Sequence, residues 1–534
     1  MIDFSRQYCL VIDDFQGMRT MLRDMLRELG AQRVDIAASG GEAVGMLGNH
    51  RYDIVLCDYN LGAGRTGQQL LEEAKVRNLV GPACAWIMVT AEKTSDAIMG
   101  AVEYQPDAYL IKPVTAALLE TRLEKIWTRK AALQEIDQAM QAKNFSKAVA
   151  LCDQRLQYDR ANAGELQRLK SQILLNAGEW DRAREVYEQV LAERELPWAK
   201  TGLAKVHFHN GNYAAARDLL QQTIEENRTY LEAYDWLVRA QQQLGDAEAA
   251  EQTLVAALRL WPNSPLRQKN LGELALKRGD RDAAEQAFRK SVVVGEHSVM
   301  KSADAYLGLA KVVGANKPDE ALKTLGLLQK QMAGDDIRLR AKSAEGLIYQ
   351  ASNNPQKAEQ LAGEVGELLQ GMAGKPGNEA SMEAASLMLA TGRRETAVEL
   401  LQSVVRNNHD NRELLNQVQQ VFVAANMAEE GAALVEASRQ EAIELMNRGV
   451  LLAREGRIDE AVESMYQARA ALPANVRVLF NFAYILITRM QQGNAPDTLR
   501  ADARNALLQA NRLAPGDKRF NQLMDALAKL QASP

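Results

Sequence analysis

The chain has 534 residues, 47% of them apolar and 25% charged, with a formal net charge of −5. That length exceeds what one hydrophobic core serves, so several folding units are expected, and the slightly acidic balance argues against polyphosphate or an anionic membrane as the main partner. Cys9, Cys57, Cys84 and Cys152 are too scattered for a disulfide framework or a zinc site. No apolar run approaches the ~18 residues of a membrane span, and the N-terminal stretch lacks the parts of a secretory signal, so the expectation is a cytoplasmic protein.

The first 127 residues alternate short β-branched runs with helical patterns, the texture of a doubly wound α/β domain with a five-stranded parallel sheet. Strands are expected at Cys9–Ile12, Val34–Ala37, Ile54–Cys57, Trp86–Val89 and Ala108–Ile111. Helices are expected at Gly17–Leu29, Gly40–Asn49, Gly67–Arg77 and Thr94–Tyr104, with a fifth starting near Ala116. Ser39 followed by Glu42 carries the signature of a reciprocal capping box.

Beyond residue 127 strand signals vanish and small residues recur. Ala183, Ala216, Ala250 and Ala284 are spaced by 33, 34 and 34 residues, and turns fall at Gly211-Asn212, Gly245-Asp246 and Gly279-Asp280. One unit carries Tyr234, Leu237, Ala250, Leu254, Ala257 and Pro262, and the next Leu271, Gly272, Ala284 and Phe288. Gly449, Gly456, Ala461, Ala468 and Pro473 repeat the theme, followed by Ala503, Ala510 and Pro515. This period and pattern resemble the tetratricopeptide repeat, an all-α solenoid in which stacking copies buries a face that no single copy can bury. From residue 302 to 442 the spacing drifts, and degenerate repeats are expected. The reading divides the array into blocks 128–370 and 382–530, with a Gly-rich linker at 371–381 and a frayed tail at 531–534.

Four elements carry chemistry. Asp13 and Asp14 follow the first strand, Asp58 the third, Thr90 the fourth and Lys112 the fifth, and the carboxyl ends of parallel strands gather at one edge where ligands bind. Clustered carboxylates call for a cation, and an all-oxygen site suits Mg2+. Lys112 and Thr90 supply the charge and hydroxyl that phosphoryl transfer to a carboxylate requires.

The stretches VIDDFQGMR, LCDYN, MVTAE and YLIKP resemble the response-regulator receiver family, the single-domain chemotaxis receivers above all, over about residues 6–127. The resemblance implies that Asp58 is the phosphoacceptor. It further implies that Asp14, Asp58 and the Asn60 carbonyl hold Mg2+ with Asp13 acting through water, and that Thr90 and Lys112 contact phosphoryl oxygens. Tyr109 would be the switch aromatic with Thr90, and Asn60 and Glu92 would orient the hydrolytic water. In one departure, Gly62 stands where the family usually has Pro and an extra residue precedes Gly67, so a looser loop is expected.

Val114 to Ala163 contains neither Gly nor Pro. A continuous helix from Ala116 to Lys143, about 42 Å at 1.5 Å per residue, would then join the halves as a stiff lever; the alternatives are two helices with a kink or a dimerising coiled segment. The sequence carries no second enzyme motif after residue 127, so the only expected chemistry is self-phosphorylation and self-dephosphorylation. The expected function is a two-component response regulator served by a histidine kinase or phosphotransfer protein, whose array binds a protein target. A homodimer is left open. A nucleic-acid-binding or transcriptional regulator and a phosphate sink for a shared kinase are the alternatives.

Overall fold

A computed structural model describes residues 4–62, 64–91, 104, 106–372, 374–493, 496–514 and 517–530. Glu92, the expected helix over Thr94–Tyr104 apart from its last residue, and the tail 531–534 lie outside the described residues. Two compact units form, Met1–Leu175 with Glu179–Ala305, and Asn176–Gly178 with Tyr306–Pro534. Among the described residues no helix is long and apolar enough to cross a membrane.

The first unit opens with a five-stranded parallel sheet of order β2-β1-β3-β4-β5. Its strands are β1 (Tyr8–Ile12), β2 (Arg33–Ala37), β3 (Ile54–Asp58), β4 (Ala85–Thr90) and β5 (Ala108–Ile111). The central strands are buried on both faces, which is why they read as unbroken apolar runs. Alternate residues serve two cores. Cys9, Val11, Ile54, Leu56, Ile87 and Val89 pack under α1 (Gln16–Glu28) and the last helix of this domain, Ala116–Ala131. Leu10, Ile12, Val55, Cys57, Trp86 and Met88 pack under α2 (Gly40–Asn49) and α3 (Gly67–Val76). Cys57 is thus a small buried hydrophobe, and all four cysteines are buried free thiols.

The capping at α2 differs from expectation in one bond. Ser39 Oγ accepts from Glu42 N–H, but Glu42 reaches back to the Ala38 N–H. The complete reciprocal box lies at α3, where Thr66 and Gln69 satisfy each other's backbone N–H groups.

The continuous lever does not form. The helix Ala116–Ala131, here α4, ends before α5 (Gln134–Gln141), and Ala132 and Leu133 sit at ψ −19° and −7°, which opens a tight turn. The cause is a change of core. Leu119, Leu123 and Ile126 belong to the sheet core, whereas Leu133, Ile136 and Ala139 belong to that of the array. Seven residues separate Ile126 from Leu133, so a straight helix would keep both on one face and carry Leu133 past the sheet instead of into the array. Polar contacts fix the turn: Lys130 Nζ donates to the Pro82 carbonyl at 2.9 Å and pairs with Asp107 at 2.9 Å, while Arg129 lies 3.5 Å from Asp107 and 3.4 Å from Glu165.

The array is a run of antiparallel helix pairs. Ala183, Ala216, Ala250 and Ala284 are fully buried at the pair contacts. Between the helices of a pair the chain passes through the left-handed region, at φ +80° for Gly245 and +86° for Gly279, and Asp246 and Asp280 then cap the next helix. The drifting stretch is helical too. There Asn353 and Asn426 take a positive φ, as Gly392 does at +79°, so helix pairs continue where the glycine signal thins. Residues 372–377 connect helices Pro355–Gly371 and Asn378–Ala390 inside the second unit, and the units divide near residue 305.

The second unit contains one buried imidazole. Asn475 caps helix Val476–Gln491 through its Oδ1, accepting from Val478 N–H at 3.1 Å, so its Nδ2 is left to donate to the Asn407 carbonyl and to His409 Nδ1 at 2.9 Å. His409 must therefore accept at Nδ1 and stay neutral. Burial lowers its pKa below the ordinary 6.5, Asp410 works against this, and Arg477 and Arg439 add to it. A depressed folded-state value means that its stability is present above 6.5 and lost as pH falls through the folded pKa. The His409 ring proton should titrate by NMR with a midpoint below 6.5; a midpoint at or above 6.5 would refute the neutral acceptor.

Candidate functional site

Strand register assembles the site. Ile12 lies opposite Cys57, Asp58 opposite Val89 and Thr90 opposite Ile111. The residues that follow or end these strands, Asp13, Asp58, Thr90 and Lys112, therefore line one edge of the sheet. That edge includes the crevice between β1 and β3, where the strand order reverses.

Lys112 Nζ pairs with Asp58 Oδ2 at 2.8 Å and Asp13 Oδ2 at 3.0 Å. Asp13 is fully buried, and its Oδ1 accepts the Phe15 N–H at 2.8 Å, so both of its oxygens are engaged. Asp14 is exposed, yet one oxygen from each of Asp13, Asp14 and Asp58 lies within 4.8 Å of the others. The donor set is hard and anionic, and one ammonium does not neutralise three carboxylates. These residues fit a small divalent cation. A Cβ at position 62 would come within 3.0 Å of Asp14 Oδ2, so Gly62 keeps that carboxylate clear.

Burial pushes Asp58 above the ordinary carboxylate range. Lys112 pulls it down, the Asp13 carboxylate raises it and the Asn60 backbone N–H lowers it. Burial opposes the charge of Lys112, but its ion pairs with Asp58 and Asp13 prevail and hold the ammonium above its usual range.

Thr90 is buried at the end of β4. Tyr109 is half-buried on β5, and its buried hydroxyl has no hydrogen-bond partner among the described residues. Burial and the neighbouring Tyr59 raise its pKa. Asn60 is exposed, and its Oδ1 accepts the Gly62 N–H at 3.2 Å. The structure thus brings together Asp13, Asp14, Asp58 and Lys112, with Asn60 and Thr90 flanking them.

The loop after Asp58, whose residue 63 lies outside the described residues, is tied at its two ends. Gly62 has φ +74°, which proline cannot adopt, and the loop is closed by Gly67 N–H donating to the Tyr59 carbonyl at 2.8 Å and by the Thr66–Gln69 box. Arg65 adds an ion pair with Glu73. The Thr-x-x-Gln spelling was a signal that could have found this closure, whereas nothing local in the sequence announced the Arg65 pair.

The response regulator receiver domain family matches residues 9–124, and tetratricopeptide repeat families match residues 174–241, 207–266 and 237–299. The sheet domain is similar to the chemotaxis protein CheY of Pseudomonas aeruginosa, 34% identical over 120 residues that cover 22% of this chain and 95% of that protein. It is similar to chemotaxis protein CheY-3 of Vibrio cholerae, 33% identical over 120 residues that cover 22% and 91%. A solved CheY-like receiver domain protein from Methanospirillum hungatei JF-1 aligns with TM-score 0.22 and 26% identity, covering 23% of this chain and 96% of that one.

Position 67 gives a test of how tightly the acceptor strand is held. A Cβ there would lie 2.0 Å from the Asp58 carbonyl oxygen and 3.0 Å from Cys57 Sγ, and backbone cannot give way as a flexible side chain can. Gly67→Ala should destabilise β3 by about 3 kcal/mol, seen as a roughly hundredfold loss of amide protection over Ile54–Asp58. Unchanged protection would show that the loop yields.

Proposed function

Because this chain belongs to the response-regulator receiver family and carries tetratricopeptide repeats behind that domain, we propose that Asp58 accepts a phosphoryl group from a histidine kinase or a phosphotransfer protein, and that the repeats convert its state into binding of a protein target. The observation that carries this reading is the Lys112 ammonium shared by Asp58 and Asp13, beside a cluster of three carboxylates.

In the proposed step an Asp58 oxygen attacks the phosphorus of the donor's phosphohistidine. The new P–O bond forms as the P–N bond breaks, and the electron pair leaves with the imidazole, which takes up a proton. Lys112 already touches Asp58 and stabilises charge on the incoming phosphoryl oxygens, and the Thr90 hydroxyl serves a third oxygen. Asp14, Asp58 and the Asn60 carbonyl would hold Mg2+, with Asp13 acting through water; the bound ion supplies neutralisation of carboxylate and phosphoryl charge. Hydrolysis reverses the modification: water attacks phosphorus, the bond to Asp58 breaks, and carboxylate and inorganic phosphate are released. Asn60 and Glu92 orient that water.

Acceptance and hydrolysis at its own Asp58 are the only chemistry proposed, and the site of action is the cytoplasm. The Tyr109 hydroxyl supports a switch, because a buried donor without a partner among the described residues gains a hydrogen bond by moving when Thr90 is drawn to the phosphoryl group.

With Mg2+ and acetyl phosphate the full chain should gain a single hydroxylamine-labile phosphoryl group, since a carboxylate nucleophile forms a mixed anhydride. Asp58→Asn should abolish the gain in intact mass. Labelling that survives in Asp58→Asn, or that proceeds undiminished in chelator, would refute the assignment. Asn60→Leu should lengthen the half-life of the modified state about severalfold, because an apolar side chain cannot orient water. An unchanged decay rate would remove Asn60 from the hydrolytic role.

A further inference from the structure

The polar side of α3 is partly covered. Leu70, Leu71 and Ala74 face the sheet core, yet Gln68 on the other side is only 8% exposed. What lies against this helix comes from more than 200 residues away in the same compact unit: Ser298 Oγ donates to Glu72 Oε2 at 3.3 Å. Next to Ser298, burial pushes Lys301 below the usual ammonium range; Glu296 opposes the shift, while the Arg65 cation adds to it. Beside this contact is a cavity of about 550 Å³. Tyr59, Thr66 and Gln69 line it from the sheet domain, and Asp235, Arg239 and His297 from the array.

The segment that makes this contact is the one tied to the phosphoacceptor. Tyr59 follows Asp58 and its carbonyl holds the Gly67 N–H, so the start of α3 cannot move independently of the Asp58 backbone. A second contact between sheet domain and array lies at the Lys130 turn, where Lys130 is held at Pro82 and Asp107 and Arg129 reaches Glu165; Pro82 and Asp107 precede β4 and β5 and so lie at the opposite edge of the sheet.

We propose that the Glu72–Ser298 contact is a phosphorylation-gated latch: with Asp58 unmodified, the loop after β3 and helix α3 hold the 296–301 turn and cover the array face that carries Asp235 and Arg239, and phosphorylation opens this edge while the Lys130 junction stays closed. This rests on Asp58 being the phosphoacceptor. The device is a cover worked from the α3 edge of the domain.

The test is hydrogen exchange of the full chain, unmodified and after treatment with Mg2+ and acetyl phosphate, with intact mass recorded in parallel. Phosphorylation should speed exchange about fivefold over 296–301 and in helix Leu231–Gln243, and leave residues 130–137 unchanged. Ser298→Asp, which sets a second carboxylate against Glu72, should reproduce that pattern without phosphodonor, whereas Ser298→Ala should shift it less. A gain of one phosphoryl group with unchanged exchange at 296–301 overturns the latch and leaves the acceptor reading standing. No gain in mass overturns both. Unaltered exchange in Ser298→Asp, or faster exchange at 130–137 in step with 296–301, overturns the latch as well.

Discussion

An ammonium shared between two buried carboxylates, Asp13 and Asp58, holds the carboxyl edge of the sheet together. Asp13 has no access to water, so removing Lys112 would leave an uncompensated charge in a low-dielectric site, a loss of about 3–5 kcal/mol when such pairs are broken. The demand propagates outward. Lys112 reaches Asp13 only because β5 is in register with β4, β4 with β3, and β3 with β1. The same pair leaves the cluster short of positive charge, since Asp14 and the second oxygen of Asp58 remain unmatched by Lys112. A structure that is stable as it stands is in this way built to take up more cation.

The sheet domain and the early repeats form one compact unit for a reason that is equally local. Leu133 and Ile136 must enter the array core while Leu123 and Ile126 stay in the sheet core. The helix breaks between them, and Lys130 ties the break to the β4 and β5 edge. A long helix would have transmitted motion along its axis. The turn instead makes a fixed junction, and any signal has to pass through another surface of the domain.

Most of the fold was legible because its determinants are local and periodic. All five strands lay within one residue at each end of their expected positions, since central parallel strands are continuous apolar runs that few other elements imitate. Asp13, Asp58 and Lys112 could be brought together on paper because parallel topology leaves one edge for them. The break at Ala132–Leu133 was not legible: no Gly or Pro marks it, and helical spacing persists through it. Only the assignment of Ile126 and Leu133 to different cores reveals it, and that is a tertiary fact. The repeats at 302–442 were obscured for a related reason, because asparagine can stand in for glycine in the left-handed turn and leaves little trace in a pattern of small residues. The contact of Glu72 with Ser298 is separated by too much chain for any sequence pattern to announce.

Magnitudes decide which of these sheet-to-array contacts can respond to a modification. The Lys130 junction places a cation that is only 8% exposed against a carbonyl and a carboxylate, with Arg129 reinforcing the same carboxylate; stranding such a charge costs several kcal/mol. The Glu72–Ser298 hydrogen bond, at 3.3 Å beside a cavity, is worth about 1.5–3 kcal/mol where a charged group takes part. A switch moves an equilibrium only by the difference in free energy that its two states feel. A phosphoryl group puts nearly two negative charges where the Asp58 carboxylate had one, a net gain of about one charge next to the backbone that carries α3, and a difference of 1–2 kcal/mol there shifts the weaker contact about five- to thirtyfold while hardly disturbing the stronger. The stiffness of the junction and the weakness of the latch are therefore complementary: the first gives the domain something to turn against, and the second lets it turn.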